Sequence, residues 1–234
     1  MKPRIAVITF PGSNDDRDAL RAVKVLGGEP VSVWHADRDL HGADGVILPG
    51  GFAYGDYLRT GAIARFAPAM KAVTRYVEAG RPVLGICNGF QVLCEAGLLP
   101  GAMLRNSGLS FICRWVNVRT EAPPDGDPGW QPGHVLQLPI KHGEGRWVAS
   151  VEELAGVEER GQVALRYSSP EGLEDEAFNP NGSTHNIAGL RNVRGNVLGL
   201  MPHPEHAVDP DLGPTGGIAI FEWLFAMCGA EVRA

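Results

Sequence analysis

Cys87 stands between two glycines in the run Gly85-Ile86-Cys87-Asn88-Gly89. An apolar stretch, Pro82 to Ile86, precedes it, and a second apolar segment starts at Phe90. Gly-x-Cys-x-Gly between a strand and a helix is the thiol form of the nucleophile elbow, a strained turn that lifts one side chain out at the end of a sheet. Larger residues at the flanking positions would clash in so sharp a bend. The free N–H groups opening the following helix would point at the sulfur, favouring thiolate and lowering a pKa that is about 8.5 in free cysteine. The plainer reading is a buried cysteine acting as a small hydrophobe. The glycines and the strand before them favour a nucleophile.

A thiol nucleophile needs a base within reach, and the base needs an orienting partner. Of seven histidines, His203 is set apart by its context, Met201-Pro202-His203-Pro204-Glu205, just past the apolar run Val197 to Met201. The two prolines stiffen its mount, and Glu205 is close enough to accept from the imidazole and set its tautomer. In an open α/β sheet, ligands bind outside the carboxyl ends of the strands, where the elbow also lies. Taken alone, Pro-His-Pro-Glu also reads as a rigid turn with solvated side chains. His206 lacks the flanking prolines and is the weaker candidate. The glycine-rich run Pro49 to Tyr57 is either an oxyanion loop or an ordinary left-handed turn, and the residues alone leave both open. It is neither a P-loop nor a dinucleotide fingerprint, and neither pattern occurs in the chain.

The elements that must hold these residues read as β-α-β alternation. Ile5 to Ile8 is a continuous apolar run of the kind a parallel strand covered on both faces would show, and Val31 to Trp34 and Gly45 to Leu48 read as a second and a third strand. Ser13 with Asp16 suggests a capping box for a helix through Ala19, Val23 and Leu26. Pro68 breaks the helical pattern from Ile63 to Val77, predicting a kink or two short helices. Phe111 to Val118 reads as a strand whose alternating set is Phe111, Cys113, Trp115 and Asn117. Strands follow at 135–140, 163–167, 187–190 and 197–201, a short helix at 151–154, and a C-terminal helix carries Ile218, Phe221, Leu224, Phe225 and Cys228. The alternation predicts a doubly wound, mostly parallel α/β sheet with helices on both faces.

At 234 residues the chain suits a single domain over 1–234, with a Pro/Gly-rich, solvated excursion at about 121–133. A net charge of −6 argues against nucleic acid or an anionic membrane as partner. The four cysteines are scattered without metal-ligand spacing, so no metal is expected and a reducing cytoplasm is the expected home. The apolar run Ile5 to Phe10 is too short for a signal peptide, and no stretch approaches a membrane span. Asn181-Gly182-Ser183 matches a glycosylation acceptor but reads as a loop.

Gly85 to Gln91 together with His203-Pro204-Glu205 resembles the class I (triad) glutamine amidotransferase family. Within that family, Pro49 to Arg59, Gly61 to Ala64, Phe111 to Arg114, His142 to Gly145, Asn179 to Ser183 and Ile187 to Gly189 resemble the branch serving purine biosynthesis. These stretches span almost the whole chain in the family's order. The sequence departs from the pattern at Lys141, where a smaller residue is expected, and at His206, where arginine is usual. The resemblance implies a flavodoxin-like fold and hydrolysis of glutamine to glutamate, with ammonia handed to a synthetase subunit. It implies Cys87, His203 and Glu205 as the catalytic triad, and the backbone N–H groups of Gly51 and Asn88 as the oxyanion hole. Gly50, Gln91, Lys141, His142, Gly143 and Glu144 would bind the substrate. It further implies no cofactor in this chain, with ATP and Mg on the synthetase subunit that binds formylglycinamide ribonucleotide, and a small accessory subunit bridging the two. A cysteine peptidase of related fold and a non-catalytic docking subunit are the competing readings. Intact Cys87, His203 and Glu205 speak against the second, since docking needs none of them.

Overall fold

The computed structural model describes residues 2–123 and 130–229. In chain order the elements are β1 (Arg4–Thr9), α1 (Asp16–Val25), β2 (Glu29–Trp34), β3 (Gly45–Leu48), α2 (Pro68–Glu78), β4 (Val83–Ile86) and α3 (Asn88–Glu95). There follow β5 (Ala102–Leu104), β6 (Ile112–Thr120), β7 (Val135–His142), β8 (Arg146–Val148), α4 (Val151–Glu159), β9 (Val163–Ser168), β10 (Ile187–Arg191), β11 (Val197–Leu200) and α5 (Gly217–Met227).

The runs Ile5 to Ile8 and Gly45 to Leu48 lie inside one nine-stranded sheet, in the order β2-β1-β3-β4-β11-β10-β9-β6-β7, while Val31 to Trp34 falls in the edge strand β2, where only Val33 is buried. Strands β2, β1, β3, β4 and β11 are mutually parallel, and only β10 and β6 run against the rest. The expected mostly parallel α/β sheet is what the chain adopts. Strands β5 and β8 form a separate antiparallel pair.

Helices cover both faces because the central strands are apolar on both. A side chain at Gly45 of β3 would meet Leu224 of α5 and Cys228 just past its end, whereas Leu48, of opposite parity, lies over Gly89 of α3. The core therefore has two layers, with Ile5, Ile47, Leu84 and Phe221 among its fully buried side chains. Strand β7 is an outer strand: the carbonyl of Pro139 accepts from the His203 N–H at 2.8 Å. Gly216 packs beside it, where an added Cβ would lie 2.8 Å from the Gln137 carbonyl. No helix among the described residues is long and apolar enough to cross a membrane.

Four local expectations need correction or refinement. The Ser13–Asp16 capping box does not form: the Ser13 hydroxyl accepts from the Phe10 N–H at 3.0 Å, and Asp15 occupies the N-cap without capping through its side chain. Its carboxylate is drawn to tertiary partners instead. In β6 the buried phase is Val116, Val118 and Thr120, while Phe111, Cys113 and Trp115 are exposed, so the aromatic alternation marks the outer face. The break at Pro68 resolves as a 3-10 turn (Ala64–Phe66) followed by α2, with Pro68 in its first turn. The excursion at 121–133 is not wholly solvated. Trp130 is buried, its indole donating to the Glu121 carbonyl at 2.8 Å, while 124–129 lie outside the described residues.

Candidate active site

Cys87 sits on the bend between β4 and α3 at φ 49°, ψ −104°, a conformation that residues with a Cβ rarely hold. The bend is held by tertiary constraint. The Cys87 N–H donates to the Leu200 carbonyl at 2.8 Å, tying the elbow to the end of β11. Gly89 brings α3 against β3 so closely that a Cβ there would lie 2.0 Å from the Leu48 carbonyl oxygen. Asn88 opens α3, so its N–H has no intrahelical acceptor.

β11 delivers His203 three residues past its end. His203 and Glu205 are both buried, and Nδ1 lies 2.7 Å from Glu205 Oε1. That bond leaves Nε2 for the Cys87 sulfur, with which the ring interacts electrostatically. Among the described residues neither Nε2 nor Glu205 Oε2 has a hydrogen-bond partner. Burial alone would lower the His203 pKa. The charges of Glu205 and Cys87 outweigh it and raise the value to about 10. The imidazolium is thus the resident form at neutral pH. Cys87, His203 and Glu205 come together as the sequence predicts, from positions more than a hundred residues apart.

The Gly50–Gly51 turn follows β3 and is zipped to the turn after β1. The Gly50 carbonyl accepts from the N–H groups of Asn14 and Asp15, both at 3.2 Å, and Gly12 accepts from Phe52 at 2.8 Å. Gly50 borders the triad directly, since a Cβ there would lie 2.7 Å from the His203 ring. The Asn88 side chain braces the same loop. Its Oδ1 accepts from the Ala53 N–H at 3.0 Å, and its Nδ2 donates to Asp56 at 3.2 Å and to Gln91 at 2.9 Å. Burial raises the Asp56 pKa to about 6; the Asn88 bond opposes this and the Glu144 charge adds to it.

Gln91 does not hold an open amide towards a ligand. Its oxygen accepts from Asn88 and its nitrogen donates to the Glu144 carbonyl, so it ties α3 to the turn after β7. That turn, 142–145, is organised by a residue the sequence reading missed. Asn106 donates through its side chain to the His142 carbonyl at 2.8 Å and through its backbone to that of Gly143 at 2.9 Å. It also accepts from the Gly145 N–H at 3.0 Å. His142 is buried beneath this turn, 3.1 Å from Asn106 Oδ1, and burial, then the His203 charge, lowers its pKa to about 4. His142 therefore supports the turn rather than lining a surface a ligand reaches.

Lys141 turns its ammonium to Asp15, a second residue the sequence reading missed. Asp15 Oδ1 also lies 3.3 Å from His206 Nε2, and its Oδ2 lies 3.6 Å from His203 Nδ1. Burial would raise the Asp15 pKa; His206, His203 and Lys141 reverse that and hold it well below the usual carboxylate range. Among the described residues only Asp15, His203, Glu205 and His206 have the composition of a metal centre. It is not read as one: the Lys141 ammonium already lies on two of its members, and His203 carries its own proton.

The arrangement can form and hydrolyse a thioester: a sulfur at a strained bend, an imidazolium held by a carboxylate, and backbone donors beside them. Comparison with known proteins places it. The family described as the CobB/CobQ-like glutamine amidotransferase domain matches residues 2–214. The phosphoribosylformylglycinamidine synthase subunit PurQ of Thermomicrobium roseum is 54% identical over 231 residues, covering 98% of both chains. The corresponding protein of Rubrobacter xylanophilus is 55% identical over 233 residues, covering 98% of this chain and all of its own. A chain in the structure of PurLQS from Thermotoga maritima superposes with a TM-score of 0.82 at 41% identity, covering 97% of this chain and 99% of that one.

Proposed function

This chain belongs to the CobB/CobQ-like glutamine amidotransferases, and we propose that within them it is the glutaminase subunit of a phosphoribosylformylglycinamidine synthase. Its partners on this reading are the synthetase subunit and a small third subunit, as the Thermotoga maritima assembly's name, PurLQS, suggests. ATP and magnesium belong to the synthetase side, and the complex works in the cytoplasm.

The chemistry follows from the site. The Cys87 thiolate attacks the side-chain amide carbon of glutamine, and the backbone N–H groups of Gly51 and Asn88 receive the oxyanion, a contact worth about 3 kcal/mol per donor. The His203 imidazolium gives its proton from Nε2 to the departing nitrogen, releasing ammonia and leaving a glutamyl thioester. Neutral His203 then takes a proton from water, whose oxygen attacks the thioester. The sulfur leaves as thiolate, and glutamate is formed. Glu205 holds the ring in the tautomer that turns Nε2 to the sulfur. The backbone of the turn at Lys141, Gly143 and Glu144 receives the glutamine α-amino and α-carboxylate groups.

The observation that carries this reading is the 2.7 Å contact between His203 Nδ1 and Glu205 Oε1 behind Cys87. A docking-only subunit has no use for it. The test is release of glutamate and ammonia from glutamine by wild type and Cys87→Ala, with the synthetase subunit present. Wild type releases both and Cys87→Ala neither; ammonia release by Cys87→Ala would end the mechanism.

A further inference from the structure

Three distant segments of chain meet at one carboxylate beside the triad. Asp15 comes from the turn before α1, Lys141 from the end of β7, and His203 and His206 from the turn after β11. Asp15 is buried, and an ionised carboxylate in such a place must be paired. It has two obligations: Oδ1 serves the Lys141 ammonium and His206, and Oδ2 lies 3.6 Å from His203 Nδ1.

We propose that Asp15 is a second carboxylate acting on His203, and that Lys141 sets how much of its charge the imidazole feels. Both are positioning residues, acting through His203. The inference rests on the reading of His203 as the acid and base of a glutaminase.

The groups facing His203 come from every neighbouring element. Glu205 Oε1 is bonded to Nδ1, and Asp15 Oδ2 stands behind that bond. Cys87 approaches from the start of α3, and the neutral His142 from β7. The His206 ring is centred 5.6 Å away, and Lys141 bonds to both His206 and Asp15. Glu205 and the sulfur are fixed parts of the reaction, so they cannot be changed to adjust the imidazolium. Asp15 and Lys141 can be, because neither reaches the reacting atoms. An unbalanced Asp15 would over-stabilise the imidazolium and hinder proton delivery to the leaving nitrogen, whereas no Asp15 would release the proton too early. The Asp15 carboxylate also abuts Gly50, where a Cβ would lie 2.4 Å from Oδ2, so the same group seats the loop carrying Gly51.

The two residues therefore push the His203 titration in opposite directions, which a merely structural role would not do. The experiment follows the His203 Cε1 proton by NMR across pH in the full chain. Lys141→Met is made in a His206→Gln background, so that the second imidazole cannot take over the lost charge. Asp15→Asn is expected to lower the His203 midpoint by about one pH unit, and Lys141→Met to raise it from that of the His206→Gln parent by a similar amount. Lys141→Arg keeps the midpoint in place. Midpoints that move in the same direction, or do not move, overturn the proposal. If Asp15→Asn fails to fold, Lys141→Met against Lys141→Arg decides alone. Cys87→Ala assayed in parallel separates the two claims: ammonia release by that variant would sink the glutaminase reading, whatever the NMR midpoints do.

Discussion

Two buried histidines in this protein are held in opposite protonation states, and their pH signatures differ accordingly. His203, raised to about 10, contributes stability that is full below its unfolded value of about 6.5 and is lost as pH rises towards 10. His142, lowered to about 4, contributes stability that is full above about 6.5 and is lost as pH falls towards 4. Denaturant midpoints measured across pH should therefore fall away on both sides of about 6.5, and His142→Gln should flatten the acid side only. Glu205→Gln keeps an acceptor for Nδ1 but removes the charge. The rate of glutamate release should drop on the order of 100-fold or more, read from initial rates at saturating glutamine. Cys87, His203 and Glu205 are legible in the sequence because their signals are local: glycines two residues either side, prolines one either side, a carboxylate two positions on. Asp15 and Asn106 are not, since their roles arise from partners as far as 191 positions away and no spacing rule links them.

At the scale of elements, the strand–bend–helix unit works because α3 is pressed onto β3. Gly89→Ala would place a methyl 2.0 Å from the Leu48 carbonyl, a backbone atom that cannot swing aside. The variant should lose several kcal/mol of stability, measured by urea unfolding, and Gly89→Ser more. Asn106→Ala removes the bonds that shape the turn at 142–145. It should cost about 2–4 kcal/mol and, on the proposed placement of the substrate against this turn, raise the KM for glutamine more than it lowers kcat. Most strand positions are readable from apolar runs, which central parallel strands require. The phase of β6 is not. Its aromatic residues sit on the outer face, and residue type alone does not say which face of an outlying strand is covered. The Ser13 cap misleads for a related reason: hydroxyls serve turns as readily as helices, and here the turn takes it.

At the scale of the molecule, Cys87 and His203 are both buried, so glutamine must gain entry past the surrounding turns. The loop after β3 is built under strain, with positive φ at Tyr54, Asp56 and Leu58, and with Tyr57 and Leu58 exposed at its tip. Ammonia is mostly protonated in neutral water, so hydrolysis without a waiting acceptor wastes glutamine. The isolated chain should show weak glutaminase activity that rises several-fold on adding the synthetase subunit; equal rates with and without it would count against the coupling. The outer strand β7 bears on how that subunit is received. Its carbonyl at Pro139 is spent on the mount of His203, proline has no outward N–H to offer, and Gly216 covers the backbone at Gln137. A visiting chain cannot extend the sheet at this margin by adding a strand of its own, nor can another copy stack edge to edge and seed a fibre there. The same few atoms that hold the imidazole in place keep this border of the molecule closed.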